Sequence, residues 1–307
     1  MRTIRQFEIV EALAAHQHFG RAAAALGVSQ PSLTRSLKDL EAQLGAALFD
    51  RDGVTPTVFG QIVLRHGRPV LLGFAEVKRE IVLAKGLEVG QLSLAMAFFP
   101  ADISGHEAAA RLSRRYPNLS LDLRIADWVR APEAVLSAQA DLAFADIRAA
   151  RSNPEFETIG VRSGPVSFFC AASHPLARRR KVEMSDLLAN PWVGPTFPAA
   201  LTKATPQIRP KADLPCGSVD VATGLFRPRI LVESFASAKR IVQGGAALSA
   251  GFPFQVAREC AAGEFVVLPV ETPFMNLDYG FITKRGRALS PAAKAFMQAV
   301  KDVESEI

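Results

Sequence analysis

The chain has 307 residues, 49% hydrophobic and 21% charged, which excludes a disordered or collagen-like polymer and leaves room for two or three cores. No stretch approaches the roughly 18–20 apolar residues of a membrane span, and the first residues lack the continuous apolar core of a secretory signal, so the cytoplasm is expected and a membrane is not. A net charge of +6 favours an anionic partner, without proving one.

Ile4 to Ala15 is predicted as an amphipathic helix offering Phe7, Val10, Leu13 and Ala14 to a core. Phe19 to Leu26 reads as a second short helix, and Gly27-Val28 as a tight turn. A third helix starts at Ser29-Gln30-Pro31: Ser29 or Gln30 can cap it, and Pro31 suits an opening position because the donor it lacks would be unpaired there anyway. Leu33, Leu37, Leu40 and Leu44 form one apolar stripe, and Gly45 supplies the stop. The opposite face carries Ser32, Arg35, Ser36 and Asp39, flanked by Thr34 and Lys38. Helix, glycine turn, helix is the helix-turn-helix layout, and a short helix with a polar, arginine-bearing front suits a major groove. Leu48 to Thr57, with an Asp52-Gly53 turn, suggests short strands making a wing. A small helical bundle with no nucleic acid would need the order and spacing of all four elements to be accidental.

Bulk charge does not carry this reading. In residues 1–60, Arg2, Arg5, Arg21, Arg35, Lys38 and Arg51 balance Glu8, Glu11, Asp39, Glu41, Asp50 and Asp52. Placement does. Ser29, Gln30, Pro31, Ser32 and Arg35 lie at or near the helix start, the part that reaches base edges in such proteins, with Arg35 the best base reader. Thr34, Lys38 and Arg51 are expected on phosphates.

Phe19-Gly20-Arg21-Ala22-Ala23, Val28 to Arg35, Leu40-Glu41-Ala42-Gln43-Leu44-Gly45 and Leu48-Phe49-Asp50-Arg51 together resemble the LysR-type transcriptional regulators. The resemblance is specific over roughly the first sixty residues and looser beyond. It implies an N-terminal, mostly α winged helix-turn-helix domain, a linker helix, and a C-terminal α/β bilobed effector domain like the periplasmic solute-binding proteins.

Thr57 can cap a helix from Val58 toward Lys85, where Val63, Val70, Phe74, Val77 and Ile81 recur at three-four spacing, a seam for pairing with a second copy. Gly67, Pro69 and Gly73 interrupt it, and Pro69 is expected to bend or break the rod near Arg68. Gly86 to Gly90 reads as a hinge. Strand and helix then alternate: Leu92 to Ala97, helix Ile103 to Tyr116, Leu119 to Ile125, helix Pro132 to Ala138, and Asp141 to Ala145, implying a largely parallel sheet. A second such unit starts near Val166, with Val166 to Ala171, the turn His174-Pro175-Leu176-Ala177, and a strand starting at Trp192. Residues 195–230 are proline-rich and carry no period that assigns an element. Ile230 to Ser234 is a strand and Ala236 to Val242 a helix. Val266 to Val270 is expected to cross back, Tyr279 to Thr283 to pair in the first unit, and Pro291 to Glu304 to close the chain as a helix. The expected domains are 1–58, a linker and hinge at 59–89, and an effector domain at 90–307, with lobe one at 90–161 and 268–307 and lobe two at 162–267.

The resemblance points to effector contacts at Phe98, Phe99, Pro100, Ala101 and Asp102 after the first strand, at Asp146 and Ile147, at Thr196 and Phe197, and at Ser234 and Phe235. Pro100 has no N–H and Asp102 adds negative charge, so a small anion loses its usual reception at a helix start. The phenylalanines suggest a neutral or aromatic effector, although strand alternation would turn one of Phe98 and Phe99 into the core.

No GxGxxG, P-loop or Gly-x-Ser-x-Gly occurs, and the five histidines and three cysteines show no metal spacing, so catalytic residues, cofactors and metals are not expected. Cys216, between Pro215 and Gly217, is the expected exposed thiol. The reading is a sequence-specific transcriptional regulator, a homodimer or homotetramer on double-stranded DNA under a small-molecule effector, with RNA polymerase admitted as a further partner. The alternative is a solute-binding protein of bilobed fold with no DNA role.

Overall fold

A computed structural model of the chain describes residues 4–50, 54–85, 90–197, 205, 208, 214–221, 223–272 and 275–307. Arg51, the Asp52-Gly53 turn, most of the Gly86–Gly90 hinge and much of 198–213 lie outside them. The chain divides into two compact units, Met1–Ala84 and Lys85–Ile307.

In the first unit, helices α1 (Ile4–His16), α2 (Phe19–Ala25) and α3 (Gln30–Leu44) enclose Ile9, Val10, Leu13, Ala22, Ala23, Leu33, Leu37 and Leu40, together with Leu48 and Phe49. Burying each leucine fully contributes about 1.5–3 kcal/mol. Leu44, the last of the predicted stripe, is exposed, because α3 ends there on Gly45 in the left-handed conformation, φ 68°. The wing is pinned by a Phe49–Pro56 bridge, by the Asp50 N–H on Thr55 O at 2.9 Å, and by Glu41, whose carboxylate accepts from Leu48 N–H at 2.7 Å.

Thr57 caps the long helix α4 (Val58–Lys85), its hydroxyl accepting from Gly60 N–H at 3.1 Å. Of the bend or break expected at Pro69, the break does not occur, and the helix runs through it: one proline removes one bond of the ladder, and the turns on both sides remain. Two of its glycines serve close packing. A Cβ at Gly60 would collide with the Leu48 carbonyl, and one at Gly67 with the Phe7 ring. Val63 of the predicted seam is half-buried against the core of its own unit. Phe59 and Ile62, not singled out in the sequence, are exposed at 55% and 42%, in line with Val70, Phe74, Val77 and Ile81.

The second unit is built on a five-stranded sheet of order β2-β1-β3-β12-β4. Strands β1 (Gln91–Met96), β2 (Ser120–Ile125) and β3 (Leu142–Asp146) are parallel, whereas β12 (Asn276–Lys284) runs antiparallel to β3 and to β4 (Phe156–Pro165). Alternation along β1 sends Leu92, Leu94 and Met96 into a core with Phe144, Phe281 and Phe296, and Ala95 into a second core with Ala143, Val135 and Ile282. Helix α5 begins earlier than predicted: Phe98–Pro100 lead through one π turn, Ala101–Gly105, into His106–Arg115. Helices α6 (Arg130–Leu136), α7 (Arg148–Arg151) and, at the end of the chain, α11 (Pro291–Glu304) complete this lobe.

In lobe two the main sheet is antiparallel, not parallel: β5 (Ser167–Ala171) lies between β10 (Ser249–Gly251) and β11 (Phe265–Val267). Residues 265–267 therefore belong to lobe two rather than to the return crossing. The strands expected at Trp192 and Ile230 pair as β6 (Val193–Gly194) with β9 (Ile230–Leu231), and β7 (Gly217–Val219) with β8 (Phe226–Pro228) fills part of the stretch that the sequence left unassigned. Helices α8 (Met184–Leu188), α9 (Phe235–Val242) and α10 (Ala257–Ala261) pack around them. Because β4 and β12 stay paired out to Pro165–Asn276, the sheets change over three residues beyond 162 and eight beyond 268. Cys216 is fully buried, contrary to expectation, as is Cys170; Cys260 is half-buried.

One polar network ties the crossing strands to the closing helix. The Glu304 carboxylate, its side chain only 8% exposed, accepts from Arg162 Nε of β4 at 2.7 Å, Tyr279 OH of β12 at 2.8 Å and Ser104 Oγ of the π turn at 2.5 Å. Burial first, and the adjacent carboxylate second, hold the Tyr279 phenol far above its ordinary titration range.

Candidate functional site

The helix-turn-helix is assembled by its caps. His18 Nδ1 accepts from the N–H groups of Gly20 at 3.0 Å and Arg21 at 3.3 Å, starting α2 with a residue that the sequence did not single out. Gly27, φ 64°, makes the turn, closed by Val28 N–H on Ala23 O at 3.0 Å. Ser29 Oγ accepts from Ser32 N–H at 3.4 Å and Pro31 sits in the first turn of α3. Leu33, Leu37 and Leu40 point inward, so Ser29, Gln30, Pro31, Ser32, Arg35 and Lys38 are left exposed on one side. Thr34 is half-buried and its hydroxyl donates to Gln30 O at 2.9 Å. Among the described residues, neither Arg35 nor Lys38 is held by an acid. Two unpaired cations and a row of hydroxyl and amide groups beside a helix N-terminus form a surface that can meet phosphates and base edges.

The second unit holds a cleft of about 540 Å³ between the lobes. Of the eleven residues expected there, Phe98, Phe99, Pro100, Asp146, Thr196 and Phe197 line it. The other five do not, each for a visible reason. Ala101 turns into the lobe-one core, and Ile147 is fully buried in the second core. Asp102 is exposed and accepts from Gln255 Nε2 at 3.1 Å. The Ser234 hydroxyl caps α9 through Ser237 N–H at 3.1 Å. Phe235 is 1% exposed, its ring packed edge-on against Phe98 at 5.8 Å. Phe98 and Phe99 share the first turn of a helix rather than opposite faces of a strand, and both reach the cleft.

The walls that the sequence did not disclose are Ile125, Trp128 and Val129 before α6, Leu225, Leu231 and Val232 of lobe two, and Met275 and Leu277 of the crossing. The charged rim is acidic. Asp127, Glu133, Asp146, Asp220 and Glu233, five acids, face Arg130, Arg148 and Arg227, three bases. Arg148 is committed to Asp146, with contacts at 2.6, 2.9 and 3.0 Å. At the start of α5, Pro100 offers no donor. The cleft is thus an apolar slot with little provision for an anion.

Two family models cover nearly the whole chain. Residues 4–61 match the bacterial regulatory helix-turn-helix protein, lysR family, and residues 85–305 match the LysR substrate binding domain. The chain belongs to the LysR family. It is 32% identical to the SDS degradation transcriptional activation protein of a Pseudomonas sp. over 99% of this chain and 97% of that one. It is 26% identical to the transcriptional regulator GbpR of Azospirillum brasilense, over 97% of this chain and 85% of that protein. A crystal structure of full-length CbnR complexed with its target DNA shares the fold, with a TM-score of 0.56 over 98% of this chain and 99% of that one, at 21% identity. This LysR-family protein is a transcriptional regulator with a helix-turn-helix DNA-binding domain and an effector-binding domain, and the alternative of a bilobed solute-binding protein with no DNA role is set aside by the match of residues 4–61. Among the described residues no helix is long and apolar enough to cross a membrane.

Proposed function

We propose that this LysR-family protein reads a specific inverted-repeat site on cytoplasmic chromosomal DNA with the N-terminal half of α3, as a homodimer or homotetramer, and that it catalyses no reaction. One observation carries the reading: a fully buried leucine stripe forces Ser29, Gln30, Ser32, Arg35 and Lys38 outward together, with neither cation held by an acid among the described residues. Arg35 reads a base, and Lys38 and Arg51 hold phosphates. The exposed stripe of Phe59, Ile62, Val70, Phe74, Val77 and Ile81 supports pairing along α4. The effector enters the interlobe cleft and biases a two-state arrangement, which is read out at the promoter through contact with RNA polymerase. The apolar walls and acid-rich rim favour a neutral or aromatic effector.

Fluorescence anisotropy on operator and random DNA tests the DNA claim. Arg35→Ala is expected to lose about 1–3 kcal/mol on the operator and to relax its preference over random sequence. Lys38→Ala is expected to weaken both alike and to flatten the salt dependence. Operator binding unchanged in Arg35→Ala would refute the assigned face of α3.

A further inference from the structure

Buried polar groups in a folded protein nearly always find a partner, and one left alone costs stability unless something else supplies it. Among the described residues, four buried side-chain polar atoms have none: Trp128 Nε1, Thr196 Oγ1, Thr205 Oγ1 and Ser249 Oγ. Two of these four atoms belong to residues that line the same cleft, Trp128 and Thr196, and lie just beneath its surface. They come from opposite walls. Trp128 lies between β2 and α6 in lobe one, and Thr196 follows β6 in lobe two. The contrast with Trp192 is instructive: it is 1% exposed in the lobe-two core, and its indole N–H is satisfied by Leu187 O at 2.8 Å.

An indole nitrogen can only donate, so whatever completes Trp128 must bring an acceptor. A hydroxyl can donate as well, so one carbonyl oxygen, with two lone pairs, can serve both groups. The remaining walls set the rest of the ligand. Phe99, Ile125, Leu231 and Leu277 want an apolar body, and the surplus of acids on the rim disfavours a carboxylate. We propose that Trp128 and Thr196 are the specificity-determining groups of this cleft and that they recognise the oxygen of an uncharged, mainly apolar carbonyl compound such as an aryl or alkyl ketone. Because the two donors sit on different lobes, such a ligand bridges them and favours the closed arrangement. The inference rests on the reading of the cleft as the effector site.

The test uses the full-length protein and four probes of similar size: butyrophenone, 1-phenyl-1-butanol, butylbenzene and 4-phenylbutyrate. Affinities come from calorimetry, with tryptophan fluorescence as an independent reporter, the Trp192 share being read from Trp128→Phe. Butyrophenone is expected to bind saturably, at least tenfold more tightly than butylbenzene and more tightly than the alcohol or the carboxylate. Thr196→Val, which is near-isosteric, and Trp128→Phe, which removes the donor and also trims the wall, are each expected to shrink that tenfold advantage, read as the butyrophenone-to-butylbenzene ratio within the variant, toward unity. Phe99→Ala is expected to weaken every probe. A carboxylate that binds tightest, a ketone advantage that survives in both variants, or no saturable binding of butyrophenone would overturn the proposal. If Phe99→Ala weakens all probes while the two donor variants change nothing, the cleft remains the ligand site and only the donor pair is refuted. If butyrophenone binding ignores Phe99→Ala, the cleft itself is misassigned and the proposal falls with it.

Discussion

Glu304→Ala tests whether the buried network at the crossing strands holds the effector unit together. The carboxylate is 8% exposed and accepts from Arg162, Tyr279 and Ser104. Truncation leaves two hydroxyl donors and a guanidinium without their acceptor. Hydrogen bonds to a charged group contribute about 1.5–3 kcal/mol each. Arg162 is 27% exposed and also stacks over Phe254 at 5.1 Å, so water and the ring recover part of its share. The expected loss is about 3–5 kcal/mol, the range for a buried pair broken on one side. For a unit of this size that lowers Tm by roughly 6–20 °C. Guanidinium and thermal melts of the full-length protein measure it, and Glu304→Gln, which keeps the shape and one acceptor, should lie between. A loss below about 1 kcal/mol would put the network on a par with an exposed ion pair and refute the reasoning.

Gly67→Leu drives a side chain into the Phe7 ring and should destabilise the N-terminal unit by about 1–3 kcal/mol; a melt equal to that of the unchanged protein would contradict the packing. Val77→Asp should yield folded monomers by light scattering, with weakened operator binding, since a charge in a paired apolar seam is costly; a dimer would move the interface elsewhere. Burial, opposed by a hydrogen bond with Asn190, holds the His174 imidazole below its ordinary 6.5. The unfolded chain therefore takes up the proton first, and this contribution, complete above about pH 6.5, is lost as pH falls through and below that value. Melts at pH 7.5 and 5.5 should show a larger drop for the native protein than for His174→Gln. Burial pushes the Cys170 and Cys216 thiols up to about 11, so a thiol reagent at pH 8 should label half-buried Cys260 first and reach the other two only on unfolding.

Where period, cap and stop coincide, the sequence was legible. Helix α3 shows this, and so does α11, where Ser290 Oγ accepts from Ala293 N–H at 3.0 Å and Pro291 follows. What escaped depends on partners distant in sequence. Strand β4 went unread because Gly160, Ser163, Gly164 and Pro165 look like a turn; its pairing with β12 makes it a strand. The lobe-two strands are two to five residues long, too short to show whether they run parallel. Val63 has the seam spacing, but spacing cannot say that its own core covers it. Around the cleft, residue type was visible and direction was not: Phe235 is apolar as expected, yet faces Phe98 and Phe169. Trp128 sits in a connection with no period, and only its unsatisfied N–H marks it.

The central claim is that α3 reads a defined DNA sequence. Mapping the occupancy of the full-length protein across the genome of its source, beside the Arg35→Ala variant at equal expression, tests it most directly. The account predicts discrete sites sharing an inverted repeat, strongly depleted in the variant. Diffuse occupancy with no shared repeat, or the same sites held equally by Arg35→Ala, would contradict it.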